Sequence, residues 1–572
     1  MLRNTEILNR GRWRLTRHAA IGLTFLVLGA CNLEDTLEAQ STAPLKDSLE
    51  AAATMSRIGA EISVTGGRVR GQVGNEADNA LKHYHGIPYV APPLGELRWA
   101  RPAPVIPWEG ILDATEPGPN CPQPLQGVGF YIMERPNQSE DCLTINVWTR
   151  ADRPDEGRPV MFWIHGGGLS GAAGSEQTGE LLSDKGAVLV TFNYRIGRLG
   201  FFAHPELSAG DPQGVSGNQG FRDQIAALRW VHDNIAQFGG DPNNITIFGE
   251  SAGAGSVSAL QASPLARGLF HRAIGQSGGI FNPTSHRNAD KPYAPSGEAV
   301  GLMLGQALVG TNGDASLCAL RALPVEKIIE VSQSNPLFST YEMLPTVDGE
   351  VLPDEIANIF SRGEQADVPT LIGSNADEGT AVMGYLTSMV GEGVEGFTRF
   401  KQGLLPEASD EIDQLYPVNN SLGVMQSWRE LFEDVTFLYP ARRWARDMAK
   451  VESDVYLYLF TWHPPVEGHE VFKSFHGAGT GYVFGQLTMF GAVPTDADRE
   501  FSEFIAETWV RFATTGDPNG GDLEGWRAFT PDNEIYHALG PETATGKDLR
   551  LKQMALIERA WAERRASATA TP

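Results

Sequence analysis

Gly249-Glu250-Ser251-Ala252-Gly253 fits the G-x-S-x-G pattern that presents a serine nucleophile. Its glycines permit a sharp turn that lifts the Ser251 hydroxyl clear of the backbone. Ile245 to Phe248 before it reads as a buried strand, and the small residues after it suit a helix start. A helix beginning there offers unpaired N–H groups and a positive dipole end to developing negative charge. Alone, the pentapeptide reads more readily as a structural turn. A second motif adds weight: His165-Gly166-Gly167-Gly168 follows an earlier strand, as expected of the loop that completes an oxyanion hole. Gly167 and Gly168, with Ala252, are the expected N–H donors. His165 itself reads as a structural residue at the strand end.

A serine hydroxyl is a weak nucleophile, so it needs a base, and the base needs an orienting carboxylate. On a strand–turn–helix scaffold of this kind the partners follow in the order Ser, acid, His. Four of the twelve histidines, His463, His469, His476 and His537, lie far enough beyond Ser251. His463 abuts two prolines, and no loop signature follows His537. His476 sits in Phe475-His476-Gly477-Ala478-Gly479, a loop able to swing an imidazole over a sheet edge. For the acid, Ser374-Asn-Ala-Asp377-Glu378-Gly379 follows a strand, and chemistry does not choose between Asp377 and Glu378.

The elements that must carry these residues are legible in outline. Pro159–Ile164, Ala187–Phe192, Ile245–Phe248, Pro369–Gly373 and Val455–Phe460 are short apolar runs of buried-strand type. Phe221 to Phe238 reads as a helix, with Ile225, Leu228, Val231, Ile235 and Phe238 on one stripe and Gly239-Gly240 as its stop. The alternation predicts an α/β fold, a mostly parallel central sheet with helices on both faces. No repeat and no shift of composition divides the chain after residue 58, so residues 58–565 are expected to form a single domain.

The 572 residues are 41% hydrophobic with a formal charge of −25, which argues against disorder and against a nucleic-acid partner. The acidic balance suits solubility of a large surface better than steering of cationic substrates. His, Cys and carboxylate residues show no ligand cluster at zinc-type spacing, so neither metal nor organic cofactor is expected. Residues 1–30 stand apart: five arginines and one glutamate give them +4, leaving −29 on the rest. The basic stretch leads into Ala19–Ala30, an apolar run of 12 residues, too short to span a bilayer but suited to a signal-peptide core. Leu28-Gly29-Ala30-Cys31 resembles a bacterial lipobox, so 1–31 is expected to direct export and Cys31 to carry lipid. Asn32–Arg57 reads as a polar tether.

At these motifs the sequence resembles the type-B carboxylesterases, the α/β-hydrolases that include cholinesterases and many microbial esterases and lipases. The likeness runs over roughly residues 60–560. It is carried by Gly86-Ile-Pro-Tyr89, Ser139-Glu-Asp-Cys142, Asn193-Tyr-Arg195, Asn218-Gln-Gly220, Phe248-Gly-Glu-Ser-Ala-Gly253 and Thr515-Gly-Asp-Pro-Asn519. The resemblance implies an α/β-hydrolase fold with large gorge insertions and a small-molecule ester as substrate. It points to Ser251 as nucleophile, Glu378 as acid and His476 as base, with supporting places for Glu250 and Ser277. It also implies a Cys121–Cys142 disulfide and an Arg98–Glu140 ion pair. Cys318 resembles half of another family bridge whose partner is missing, which predicts a free, buried thiol. Two positions depart from the cholinesterases. Ile132 falls where their choline-binding Trp stands, so no aromatic cage for quaternary ammonium is expected, and Gly479 replaces a frequent Glu after the base. The rival readings are a more specialised hydrolase on the same machinery (a lipase, a carbamate or amide hydrolase, or an esterase for polyesters or natural products such as mycotoxins) and a non-catalytic adhesion module.

Overall fold

The strand Arg158–Ile164 shows how this sequence makes a core. Val160, Phe162 and Ile164 enter one buried apolar cluster while Met161 and Trp163 enter another. Successive side chains of a strand point to opposite faces, so a strand apolar at every position must be covered on both sides. The computed structural model describes residues 57–569 except 75–79, 129–130, 336–337, 339–343, 419–420 and 522. Met55–Pro572 forms one compact unit. Residues 1–31 with Cys31, and the tether apart from its last residue, Arg57, lie outside the described residues.

In chain order the strands are β1 (Glu61–Val64), β2 (Gly67–Arg70), β3 (Gln72–Val73), β4 (Lys82–Pro88), β5 (Ile111–Asp113), β6 (Gln126–Val128), β7 (Tyr131–Met133) and β8 (Thr144–Thr149). They continue with β9 (Arg158–Ile164), β10 (Val188–Phe192), β11 (Gly240–Glu250), β12 (Arg272–Gln276), β13 (Thr370–Asn375), β14 (Val455–Phe460), β15 (Ile535–Leu539) and β16 (Ala544–Lys547). The main sheet has 11 strands in the order β16-β15-β14-β13-β12-β11-β9-β10-β8-β4-β3. From β15 across to β10 all neighbours are parallel. Antiparallel pairs close both margins.

Helices cover the two faces through the stripes that the sequence encodes. Phe221, Ile225, Leu228 and Val231 of the helix Gln219–Asn234 pack into the first cluster. Phe501, Ile505, Trp509 and Phe512 of the helix Asp496–Thr515 pack into the second. Two expected elements differ in detail. The helix read as 221–238 tightens at Ile235–Phe238 into a 3-10 turn, which Gly239 ends in the left-handed region. The strand read as 245–248 extends over Gly240–Glu250, with an irregular register between Gly240 and Ile245.

The Cys121–Cys142 bridge is present, with its Cα atoms 5.1 Å apart. Arg98 donates to Glu140 through Nε at 2.7 Å and also holds the carbonyls of Arg321 and Leu323. Cys318 is free as expected but exposed, not buried. It lies on the short helix Leu317–Arg321, whose buried residue is Leu320, so the thiol faces outward. In the chain-entropy view, closing 20 residues between the two half-cystines stabilises the fold by about 3 kcal/mol. Replacing both Cys121 and Cys142 with Ser is therefore expected to lower the urea midpoint of the oxidised protein by the equivalent of that amount. The variant's midpoint should not respond to reductant. Equal midpoints for variant and oxidised wild type would show that the bridge contributes nothing.

Candidate active site

The C-terminal ends of the parallel strands bring distant segments to one edge, the usual place for ligand chemistry in such sheets. The chain passes from β9 to β10 on one side and returns to β11 on the other. At that switch the His165–Gly168 loop meets the turn after β11. Glu250 is in register with Gln276, and the next N–H, that of Ser251, donates to the Gln276 carbonyl at 2.9 Å. Ser251 adopts φ 57°, ψ −124° and caps the helix Ala252–Ala262. The following glycine is required by space: a Cβ on Gly253 would lie 2.1 Å from the Ile164 carbonyl oxygen. Gly167 and Gly168 take φ 81° and 64° in the facing loop.

The next strands over deliver the other two members. β13 and β14 run parallel with Asn375 beside Phe460, so the loops that leave them are neighbours. They are stitched together. Asn375 Nδ2 donates to the Phe475 carbonyl at 2.7 Å, Asp377 N–H to that of Ser474 at 3.2 Å, and Thr380 Oγ1 to that of Phe472 at 2.6 Å. On this frame His476 Nε2 stands 2.9 Å from Ser251 Oγ, and Nδ1 stands 2.7 Å from Glu378 Oε2. Glu378 is 1% exposed, and its other oxygen accepts the Asn375 N–H at 2.7 Å. Asp377 turns instead toward Lys473, at 3.7 Å. Among the histidines left open, His463 and His469 are exposed, and His537 is buried in β15 against Trp526. Geometry thus brings Ser251, His476 and Glu378 together and leaves the alternatives elsewhere.

The supporting residues fall close by. Glu250 Oε1 lies 3.4 Å from His476 Nε2. Burial pushes the Glu250 carboxyl up to about 7, against the pull of His476. Burial opposes protonation of His476, but Glu250 and then Glu378 outweigh it and raise the imidazole to about 9. Ser277, at φ 53°, shares with Glu250, Asn375, Gly479 and Thr480 the wall of a cavity of ≈ 10 Å³ behind the serine. A Cβ on Gly479 would meet only ordinary contacts, 3.6 Å to Phe460 and 3.8 Å to Asn375. His165 is buried and stacked on Tyr194, which matches its expected structural place. Ile132 lies on β7, and its side chain is outside the described residues. Three contributors carry no motif. Asn375 could have been noticed as the polar residue ending β13, whereas Glu433 and Phe437 lie in a helical stretch and read as ordinary packing.

A serine on a strand-to-helix elbow, joined through histidine to a glutamate over a sheet of this order, is the arrangement of an α/β-hydrolase. The chain belongs to the carboxylesterase family, whose profile matches residues 59–557. It is 35% identical over 495 residues to the para-nitrobenzyl esterase of Bacillus subtilis (strain 168), covering 84% of this chain and 95% of that one. It is 35% identical over 491 residues to the fumonisin B1 esterase of Sphingopyxis macrogoltabida, covering 82% and 85%. A solved PNB esterase superposes with a TM-score of 0.70 at 30% identity over 87% of this chain and 99% of that one. The protein is a carboxylic ester hydrolase.

With His476 as the expected base, the carboxylates on either side of it set a testable pH dependence. A base works unprotonated, so kcat/KM rises as pH climbs through its pKa, and whatever stabilises imidazolium moves that limb upward. Glu250→Gln removes the largest of the raising influences on His476. The ascending limb of kcat/KM against pH should move to lower pH by about one unit. Superimposable limbs for wild type and variant would contradict this coupling.

Proposed function

We propose that Ser251 is the nucleophile, His476 the general base and acid, and Glu378 the carboxylate that orients the imidazole. The observation that carries this reading is the unbroken run of contacts, 2.9 Å from Ser251 Oγ to His476 Nε2 and 2.7 Å from Nδ1 to Glu378. Ser251 Oγ attacks the ester carbonyl as its proton passes to His476 Nε2. The oxyanion receives N–H groups from Gly167, Gly168 and Ala252, each such donor contributing about 3–4 kcal/mol in the transition state. His476 then protonates the departing alcohol, leaving an acyl-enzyme. Water gives its proton to the same imidazole, attacks the acyl carbon and frees the acid and Ser251. Every step is borne by protein groups and water, with a small-molecule ester as the reactant.

Ser251→Ala should lower kcat for a short-chain p-nitrophenyl ester by about 10⁴-fold or more while the circular dichroism spectrum stays unchanged. Wild type should be labelled irreversibly by an organophosphonate, at Ser251, and the variant should not. Activity near wild type in the variant would remove the assignment, and a wild type inert to the phosphonate would favour the non-catalytic adhesion reading.

Export is proposed on the basic and apolar leader and on Leu28-Gly29-Ala30-Cys31, with Cys31 lipidated and residues 32–57 spanning from anchor to enzyme. One acyl chain anchors only marginally, whereas several hold firmly. Cys31→Ser should therefore shift the esterase from the membrane fraction to the soluble exported fraction. Unchanged membrane association would refute the anchor.

A further inference from the structure

One turn of π-helix, Asp434–Leu438, joins the helices Ser421–Glu433 and Tyr439–Met448 beneath the acid and the base. Such turns are rare and cluster at functional sites. Glu433, which precedes the turn, and Phe437, within it, each touch a different part of the Ser251–His476–Glu378 set. Glu433 Oε1 accepts the Gly379 N–H at 2.9 Å, so the peptide that follows Glu378 is held by a side chain and not by a neighbouring strand. That turn is pressed hard on the helix: a Cβ on Gly379 would lie 2.6 Å from Arg429 Cγ and 3.1 Å from Glu433 Cγ. Phe437, 5% exposed, lays its ring 4.4 Å from the His476 ring, centroid to centroid, at 33°.

Filling space does not require a carboxyl at position 433. Glu433 is 9% exposed, and its charged neighbours oppose one another: Arg429 at 3.5 Å on one side, Asp377 and Asp434 on the other. Burial pushes its carboxyl up to about 8. An apolar residue of that size would stabilise the helix packing at lower cost. What the carboxyl adds is an acceptor at a fixed point, and the backbone N–H it serves belongs to the residue beside the acid. The acid is then held from both ends, by Asn375 N–H on its own Oε1 and by Glu433 on the following peptide.

We propose that Glu433 and Phe437 are positioning residues for ester hydrolysis: Glu433 fixes the turn that carries Glu378, and Phe437 fixes the plane of the His476 imidazole. The proposal rests on the assignment of Ser251, His476 and Glu378. It is the acceptor oxygen, not the charge, that position 433 needs.

The test is a set of variants assayed on p-nitrophenyl acetate, with active sites counted by phosphonate titration so that rates refer to folded enzyme. Displacing catalytic groups by a fraction of an ångström costs on the order of 10- to 100-fold. Glu433→Ala should therefore lower kcat about 10-fold or more with KM within about 2-fold, and Glu433→Gln, which keeps the acceptor, should stay within about 3-fold of wild type. In a Glu378→Ala background, Glu433→Ala should add less than about 2-fold, because the group it positions is gone. Wild-type kcat in Glu433→Ala, a loss that Gln does not rescue, or a loss confined to KM would each overturn the proposal. If Glu433→Ala does not fold, Phe437→Leu decides: kcat about 5- to 10-fold lower at unchanged KM supports the buttress, and wild-type kcat overturns it. Should Glu378→Ala itself keep full activity, the acid assignment fails, a result distinct from failure of the buttress.

Discussion

The site hangs on the backbone crossing at Ser251. To project a hydroxyl from the end of β11, the chain must pass from strand to helix in a single residue at positive φ. A non-glycine residue there costs on the order of 1–3 kcal/mol and persists only where its surroundings over-determine it. Here the surroundings are tight on both flanks. Gly253 runs against the Ile164 carbonyl, and a Cβ on Gly278 would come 2.2 Å from the carbonyl oxygen of Ser251 itself. The elbow therefore fits only if β9, β11 and β12 are adjacent and in the register observed. Sheet order, glycine placement and nucleophile geometry are one constraint seen from three sides.

The same crossing governs the electrostatics. With Ser251 fixed, His476 must reach it at Nε2, and that atom then comes within 3.4 Å of Glu250, the residue before the nucleophile. The imidazole is thereby flanked by carboxylates at both nitrogens. Burial alone would drive both Glu250 and His476 toward neutrality. Glu250 yields to it, its carboxyl rising to about 7, while His476 moves the other way, toward imidazolium. In the proposed reaction an imidazolium forms when the serine loses its proton. Carboxylates beside both ring nitrogens therefore favour the imidazolium over the free base.

How much of this the sequence declared depends on whether a residue's role is local. Ser251, Gly167 and Gly168 are legible because an elbow and a glycine loop impose their own composition on neighbouring positions. The strands 159–164 and 455–460 are legible because burial on both faces leaves no polar position. Asp377 against Glu378 was not decided by chemistry, since both are carboxylates on one loop. Only the pairing of β13 with β14, which aims 378 at His476 and 377 at Lys473, separates them. Cys318 differs for another reason: its likeness to half of a family bridge predicts a buried thiol, but a five-residue helix buries a single side chain, Leu320. Glu433 and Phe437 leave no trace because their partners are 54 and 39 residues away, in loops whose path the helix pattern does not encode.

These long separations share a physical logic. Ser251 and Glu378 sit just past the ends of β11 and β13, and His476 on the long connection that leaves β14, where the ladder has stopped. What replaces the ladder is a second layer of backbone contacts: Ser251 N–H on Gln276, Asn375 N–H on Glu378, Gly379 N–H on Glu433, and Asp377 N–H on Ser474. Backbone donors are stiffer than side chains because no rotamer has to be frozen to use them. Side chains enter this layer mainly as acceptors at its outer rim, where Glu433 stands. A site built this way takes its geometry from the main chain, and only its rim from the rotamers of neighbouring side chains.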